Sequence, residues 1–102
     1  MTVSVHTSGD TGVVALDGRF TFETHRAFKA ATDPLLADPA IRAIHVDLSG
    51  LVDMDASSLG MLLVLREKTE AHGKDLQLVK LAPCAAVLME SLQFGKLFKI
   101  VK

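Results

Sequence analysis

Alternating hydrophobic and polar residues mark the start of the chain as a β-hairpin. Val3–Thr7 alternates with a period of two, Ser8–Gly12 is a cluster of turn residues, and Val13–Leu16 is a second apolar run. A period of two is typical of strands with one solvated face, and turn residues between two such runs predict a hairpin. Three further apolar runs complete five predicted strands: Ala43–Leu48, Leu76–Leu81 and Leu97–Val101.

Apolar residues with helical spacing follow the second predicted strand. The first predicted helix starts after Phe22. Pro34 predicts a kink or restart in it, because a proline holds the preceding residue, Asp33, out of the helical region. Asp38-Pro39 closes the segment. The predicted buried stripe of this helix consists of Ala27, Phe28, Ala31 and Leu35.

Two more helices are predicted after the third and fourth strands. One runs from about Ser57 to His72 and stops at Gly73, a usual residue after a helix end. The other begins at Pro83, whose missing N–H costs nothing there, and reaches about Leu92 before a turn at Gly95. A hairpin followed by alternating strands and helices predicts an α/β protein with a mixed, mostly parallel five-stranded sheet. Its 102 residues predict a single domain over positions 1–102.

Composition and charge narrow the class of partner. With 11 basic and 12 acidic residues, the net charge is -1, so we expect neither a nucleic-acid nor a membrane partner. One cysteine excludes an internal disulfide, and the chain shows neither a membrane-spanning apolar run nor a secretion signal at its start. We therefore expect a cytoplasmic protein.

The start of the second predicted helix carries the main candidate site. Ser57 and Ser58 follow the predicted loop Ser49–Ala56, and their hydroxyls could cap free backbone N–H groups. Asp55 would favour the positive end of the helix dipole. Capping alone accounts for these residues, so a chemical role needs further support.

The first half of this helix is apolar on all sides. Six of the seven residues from Leu59 to Leu65 are apolar. A helix that lies on a sheet buries one face, so a second apolar face is exposed or covered by a partner or a neighbouring helix. The pattern does not decide which set faces outward: Leu59, Leu62 and Leu63, or Met61, Val64 and Leu65.

A family resemblance is carried by several segments spread along the chain. They are Leu16–Phe20, Asp47–Ser49, Met54–Gly60 and Pro83–Leu88, with Leu92, Phe94, Leu97, Phe98 and Ile100. Taken together, these segments resemble the STAS domain of bacterial anti-sigma factor antagonists. The resemblance covers nearly the whole chain, and its central part is the most specific.

The resemblance implies a phosphorylation site. The family motif reads roughly D-S-S-G-L-G with its second serine phosphorylated, which places the acceptor at Ser57. Ala56 stands at the first serine, and Ser58 replaces the glycine and becomes a competing acceptor. Thr21 stands where many members have an acidic residue. The partner-binding residues that we expect are Arg19, Phe22, Asp53, Asp55, Ala56, Ser58, Leu59, Met61 and Leu62.

The resemblance also implies a switch without catalysis. The unphosphorylated form would bind an anti-sigma factor, usually a kinase, and so release a sigma factor. The kinase would bind the ATP and Mg²⁺, so this chain needs no cofactor, and a metal-dependent Ser/Thr phosphatase would reset it. We expect a monomer that dimerises weakly at most.

Two other functions stay open. The same fold could serve as an unphosphorylated subunit of a lipid-transport or stress-sensing complex. An enzyme with Ser57 as nucleophile is the remote alternative, since neither a G-x-S-x-G elbow nor a P-loop occurs. No metal site is expected, because the histidines and the sole cysteine lack ligand spacing: His6, His25, His45, His72 and Cys84.

Overall fold

The computed structural model describes residues 2–91, 93 and 96–101, and these form five strands and three α-helices. A short 3₁₀ turn at Phe22–Thr24 precedes the first α-helix. The elements are β1 (Thr2–Ser8), β2 (Thr11–Phe20), α1 (His25–Ala37), β3 (Ala43–Met54), α2 (Ala56–Ala71), β4 (Asp75–Val79), α3 (Pro83–Ser91) and β5 (Lys99–Val101).

The strands lie in the sheet in the order of the chain, β1-β2-β3-β4-β5. β1 pairs antiparallel with β2, and each later pair is parallel. The predicted fold class, with its opening hairpin and its helices after the second, third and fourth strands, is therefore confirmed.

One face of the sheet carries the core. Val14, Val46 and Leu78 lie in register across β2, β3 and β4, and each is 0% exposed. Parallel strands added in sequence with right-handed crossovers place their helices on the same face of the sheet. On the opposite face, His45 and Gln77 lie in register and are only half-buried. The helices therefore cover a single face.

β2 and β3 are longer than the sequence pattern predicts. β2 continues to Phe20 and β3 to Met54, so the predicted loop Ser49–Ala56 is wrong over most of its length. The two strands stay paired through two register shifts. Gly50 permits this close approach, because a Cβ atom there would lie 2.9 Å from the carbonyl oxygen of Leu16. The long β2–β3 pair brings the ends of both strands to the start of α2.

The predicted interruption of the first helix at Pro34 is wrong. α1 runs continuously through Pro34, and Asp33 is helical. A proline inside a helix costs about 3 kcal/mol or more. Leu35 and Leu36, just beyond it, are only 6% and 5% exposed, and burying each contributes about 1.5–3 kcal/mol, which offsets that cost. Ala27, predicted in the buried stripe, is exposed.

The remaining helix bounds agree closely with the sequence pattern. α2 begins at Ala56, and Gly73 adopts a left-handed φ of 67° just beyond its end. α3 begins at Pro83 as predicted. Its predicted end at Leu92 and the predicted turn at Gly95 lie outside the described residues. β4 and β5 are both shorter than predicted.

Candidate functional site

Asp55, not a serine, caps α2. Its backbone is extended, and its Oδ1 accepts a hydrogen bond from the Ser58 N–H at 3.0 Å. The same oxygen accepts a hydrogen bond from the Ser57 hydroxyl at 2.6 Å. A carboxylate at this position both satisfies a free N–H group and interacts favourably with the helix dipole, so it displaces the predicted serine cap.

The two serines have opposite environments. Ser57 is exposed, whereas Ser58 is 0% exposed. The Ser58 hydroxyl donates to the backbone carbonyl of Asp55 at 2.5 Å. A modifying enzyme must reach the hydroxyl oxygen, so of the two serines only Ser57 presents one at the surface.

The core determines which face of α2 points outward. Leu65 is buried together with Leu59 and Leu62, so the predicted division of this helix into two sets is wrong at Leu65. Leu59 and Leu62 are 1% and 0% exposed, so these two residues belong to the core and not, as expected, to a docking surface. The side chains at least partly accessible on the outer face are Ser57, Met61, Val64 and Lys68.

Charged residues lie at the ends of β2 and β3, close in sequence to Ser57. Asp53 and Asp55 are both exposed, as is Ala56 between Asp55 and Ser57. Arg19, also exposed, is the register partner of Asp53 across the β2–β3 pair. Four of the expected partner-binding residues thus lie at the ends of these two strands and at the start of α2, which carries the candidate acceptor.

A groove between α1 and α2 opens beside Ser57. Its volume is about 470 Å³. Phe22, an expected partner-binding residue, is 65% exposed and stacks on His25 with ring centroids 5.0 Å apart. The residues that line this α1–α2 groove are Phe22, His25, Phe28, Lys29, Thr32, Ser57, Gly60, Met61, Val64, Leu65 and Lys68.

The sequence predicts Phe22, Met61 and Ser57 as site residues of this groove, and helical spacing places Val64 on the same side of α2 as Met61. Lys68 falls on that side as well, because it follows Val64 by four residues. The contribution of α1 has no such signal, since the sequence does not show which helices are neighbours.

One end of the groove carries an excess of positive charge. Asp33 accepts a hydrogen bond from Lys29 at 2.8 Å and lies 3.6 Å from the ammonium nitrogen of Lys68. The Lys29 hydrogen bond is the main cause that lowers the pKa of Asp33. Desolvation opposes it, and the charges of Lys68 and Lys29 add to the lowering. Two ammonium groups thus share one carboxylate, which leaves one positive charge unmatched.

The described residues include neither a group of metal ligands nor a helix that could span a membrane. Within residues 2–91, 93 and 96–101, no three His, Cys, Asp or Glu side chains are grouped as metal ligands. Cys84 is half-buried, and its sulfur lies 3.6 Å from the carbonyl oxygen of Leu51. Of the helices described, none is long and apolar enough to cross a membrane.

Comparison of the sequence with known proteins assigns the family. The family model described as Mlab, STAS domain, matches residues 3–102. A STAS-domain containing protein of Pseudomonas aeruginosa is 32% identical over 87 residues, which cover 85% of this chain and 84% of that protein. The chain therefore belongs to the STAS domain family.

Solved structures share the same fold at low sequence identity. The anti-sigma factor antagonist SpoIIAA in its unphosphorylated form superposes with a TM-score of 0.77 at 20% identity, covering 99% of this chain and 88% of that chain. Its phosphorylated form, from Bacillus, gives 0.74 at 18% identity, covering 99% and 92%. An anti-sigma factor antagonist from Mycobacterium paratuberculosis gives 0.86 at 22% identity, covering 98% and 84%.

Proposed function

We propose that this protein is an anti-sigma factor antagonist whose binding surface is switched by phosphorylation of Ser57. The observation that carries the proposal is the exposure of the Ser57 hydroxyl beside Asp55, while Ser58 is fully buried. The likeness in fold to SpoIIAA, which has been solved with and without phosphate, supports the same assignment. The chain would act in the cytoplasm and catalyse nothing itself.

The binding surface would consist of the accessible side chains around Ser57. Phe22 and Met61 supply apolar contact area, and Asp53, Asp55 and Arg19 supply charge. Phenylalanine and methionine are both enriched at protein interfaces relative to the rest of the surface. The unmodified form would dock here on an anti-sigma factor kinase and so release the sigma factor.

Phosphorylation would reverse this docking through charge. The kinase, which holds the ATP and Mg²⁺, would transfer the γ-phosphoryl group to the Ser57 oxygen and release ADP and the hydroxyl proton. A phosphoserine adds about -1.5 to -2 charge next to Asp53 and Asp55. Repulsion between two unit charges about 6 Å apart is roughly 3 kcal/mol at an effective dielectric of 20, or about a hundredfold in affinity.

The test requires a candidate anti-sigma factor kinase, sought as an ATPase-fold protein among the neighbouring reading frames. The protein is incubated with this kinase, ATP and Mg²⁺, and intact mass and peptide mapping locate any phosphate. We expect one phosphate on Ser57, none in Ser57→Ala, and normal modification of Ser49→Ala, which changes another exposed serine. Kinase affinity is then compared for the unmodified and phosphorylated forms. A phosphate on Ser58, or a Ser57→Asp variant that binds the kinase as tightly as wild type, would contradict the proposal.

A second function is favoured by the exposed apolar side chains. Phe22 is 65% and Val64 is 50% exposed, and such side chains suit a subunit whose surface is permanently covered within a larger assembly. In that function Ser57 is never modified. Co-purification with membrane-transport components, combined with an unmodified Ser57 in cells, would support the subunit over the switch.

A further inference from the structure

We propose that the α1–α2 groove binds a small amphipathic anion, namely a medium-length fatty acid. Its carboxylate would lie at Lys29 and Lys68, and its chain would run along the groove toward Ser57. This inference concerns a ligand of the isolated protein, so it does not depend on whether Ser57 is phosphorylated.

The walls of the groove suit an apolar chain. Phe28, Met61, Val64 and Leu65 contribute apolar surface, and none of the groove's lining residues is acidic. Its volume of about 470 Å³ lies in the range of pockets that bind small molecules. Ligand sites of this kind are mostly apolar and use a few polar groups to fix the orientation of the ligand.

The two lysines supply the orienting group. Lys29 and Lys68 approach the groove from α1 and α2 and share the single carboxylate of Asp33. The unmatched positive charge at this end can pair with an added carboxylate. A neutral or cationic molecule of the same length would gain no such interaction, so charge distinguishes the proposed ligand from apolar molecules in general.

The length of the groove suits an extended acyl chain. Ser57 and Lys68 both line the groove and, at 1.5 Å per residue, lie about 16 Å apart along α2. An acyl chain with its carboxylate at Lys68 can lie along this length in an extended form. Its far end would reach Ser57, so a bound acid would also change the surface on which a partner docks.

The experiment titrates the isolated protein with laurate below its micelle concentration, using ¹H–¹⁵N NMR and calorimetry. Dodecyltrimethylammonium, which has the same chain length and the opposite charge, is the ligand control. Val64→Asp places a carboxylate in the groove. Val87→Asp, which changes an exposed valine of α3 outside the groove, is the matched variant. Lys29→Met with Lys68→Met removes both charges and keeps the apolar stems. Thermal unfolding verifies that each variant is folded.

We expect saturable binding of one laurate, with the largest shifts in the residues that line the groove. Val64→Asp should weaken binding by about tenfold or more, and the double lysine variant by about fivefold, while Val87→Asp has no effect.

Any one of three results would overturn the proposal: no saturable laurate binding by wild type, equal binding of the cationic control, or equal effects of the two valine variants. Loss of kinase docking in Val64→Asp without laurate binding by wild type would likewise overturn it and make the groove a protein interface. Phosphorylation of Ser57 takes no part in these titrations, so their failure leaves the proposed switch intact.

Discussion

A second carboxylate beside Asp55 should measurably destabilise the start of α2. The Ser57 oxygen lies 2.6 Å from Asp55 Oδ1, so a Ser57→Glu variant places two carboxylates near each other. At about 4 Å, two unit charges repel by about 1 kcal/mol in water and about 4 kcal/mol at an effective dielectric of 20. Both side chains are exposed, so we expect a repulsion of about 1 kcal/mol, near the lower value.

A double-mutant cycle isolates this repulsion. Ser57→Glu is compared with Ser57→Gln, which has the same shape without the charge, once with Asp55 and once with Asp55→Asn. The asparagine keeps an oxygen that can accept the Ser58 N–H bond, so the cap survives. Any benefit that the introduced glutamate gains from the helix dipole appears in both backgrounds and cancels. Urea unfolding should give a destabilising coupling energy of about 1 kcal/mol, equivalent to about 4–8 °C in melting temperature.

Salt provides the internal control. At 1 M salt the Debye length falls to about 3 Å, so the coupling between residues 55 and 57 should shrink strongly. A coupling near zero at low salt, or a favourable one, would refute the reasoning and show that Asp55 does not sense charge at position 57. A phosphoserine carries about -1.5 to -2 charge, so its repulsion from Asp55 should be up to about twice as large.

Four further substitutions test the fold and the charges around the site. Leu62→Ala should lower the free energy of unfolding by about 2–5 kcal/mol in urea titrations, because the side chain is 0% exposed; a loss under about 1 kcal/mol would contradict its burial. Gly60→Ala should stabilise the protein by about 0.5–1 kcal/mol, because a Cβ atom there meets no other atom within 4 Å. Gly50→Ala should instead destabilise it by about 1–3 kcal/mol, because its Cβ atom clashes with the Leu16 carbonyl oxygen. Melting temperatures that shift in the same direction for both variants would disprove this contrast. The lowered pKa of Asp33 means that its contribution to stability is present above the ordinary value of 3.8 and is lost as pH falls through the lowered pKa. Asp33→Asn should therefore cost at most about 0.5 kcal/mol at pH 7, and this cost should shrink as the carboxyl group becomes protonated. Urea unfolding that gives the same loss at neutral and at acidic pH would exclude the ion pairs as its cause.

Local physical preferences explain what could be predicted from the sequence. The alternation in Val3–Thr7 predicts β1, Gly73 has the left-handed φ expected just beyond a helix, and Pro83 begins α3. Each depends on the backbone of a residue and its immediate neighbours. The helix start predicted at about Ser57 likewise lies within one residue of the observed start of α2 at Ala56.

Long-range packing explains what could not be predicted. Pro34 stays inside α1 because Leu35 and Leu36 are buried against the core, and no local signal reports that burial. β3 passes its predicted end because Gly50 lets it remain beside β2. The α1–α2 groove depends on which helices are neighbours. In each case the missing information is the position of another element, not the identity of the residue itself.

The orientation of α2 determines which of its two serines is accessible, and the core determines that orientation. Successive residues of a helix point about 100° apart, so Ser57 and Ser58 cannot both face outward while Leu62 and Leu65 are buried. Burial of these leucines therefore turns Ser58 inward, where its hydroxyl is satisfied by the Asp55 carbonyl, and turns Ser57 toward the groove and the solvent. A serine in place of the family's glycine at position 58 thus adds an internal hydrogen bond without adding an accessible hydroxyl. Any change that exposed Ser58 would first have to withdraw the leucine face of α2 from the sheet.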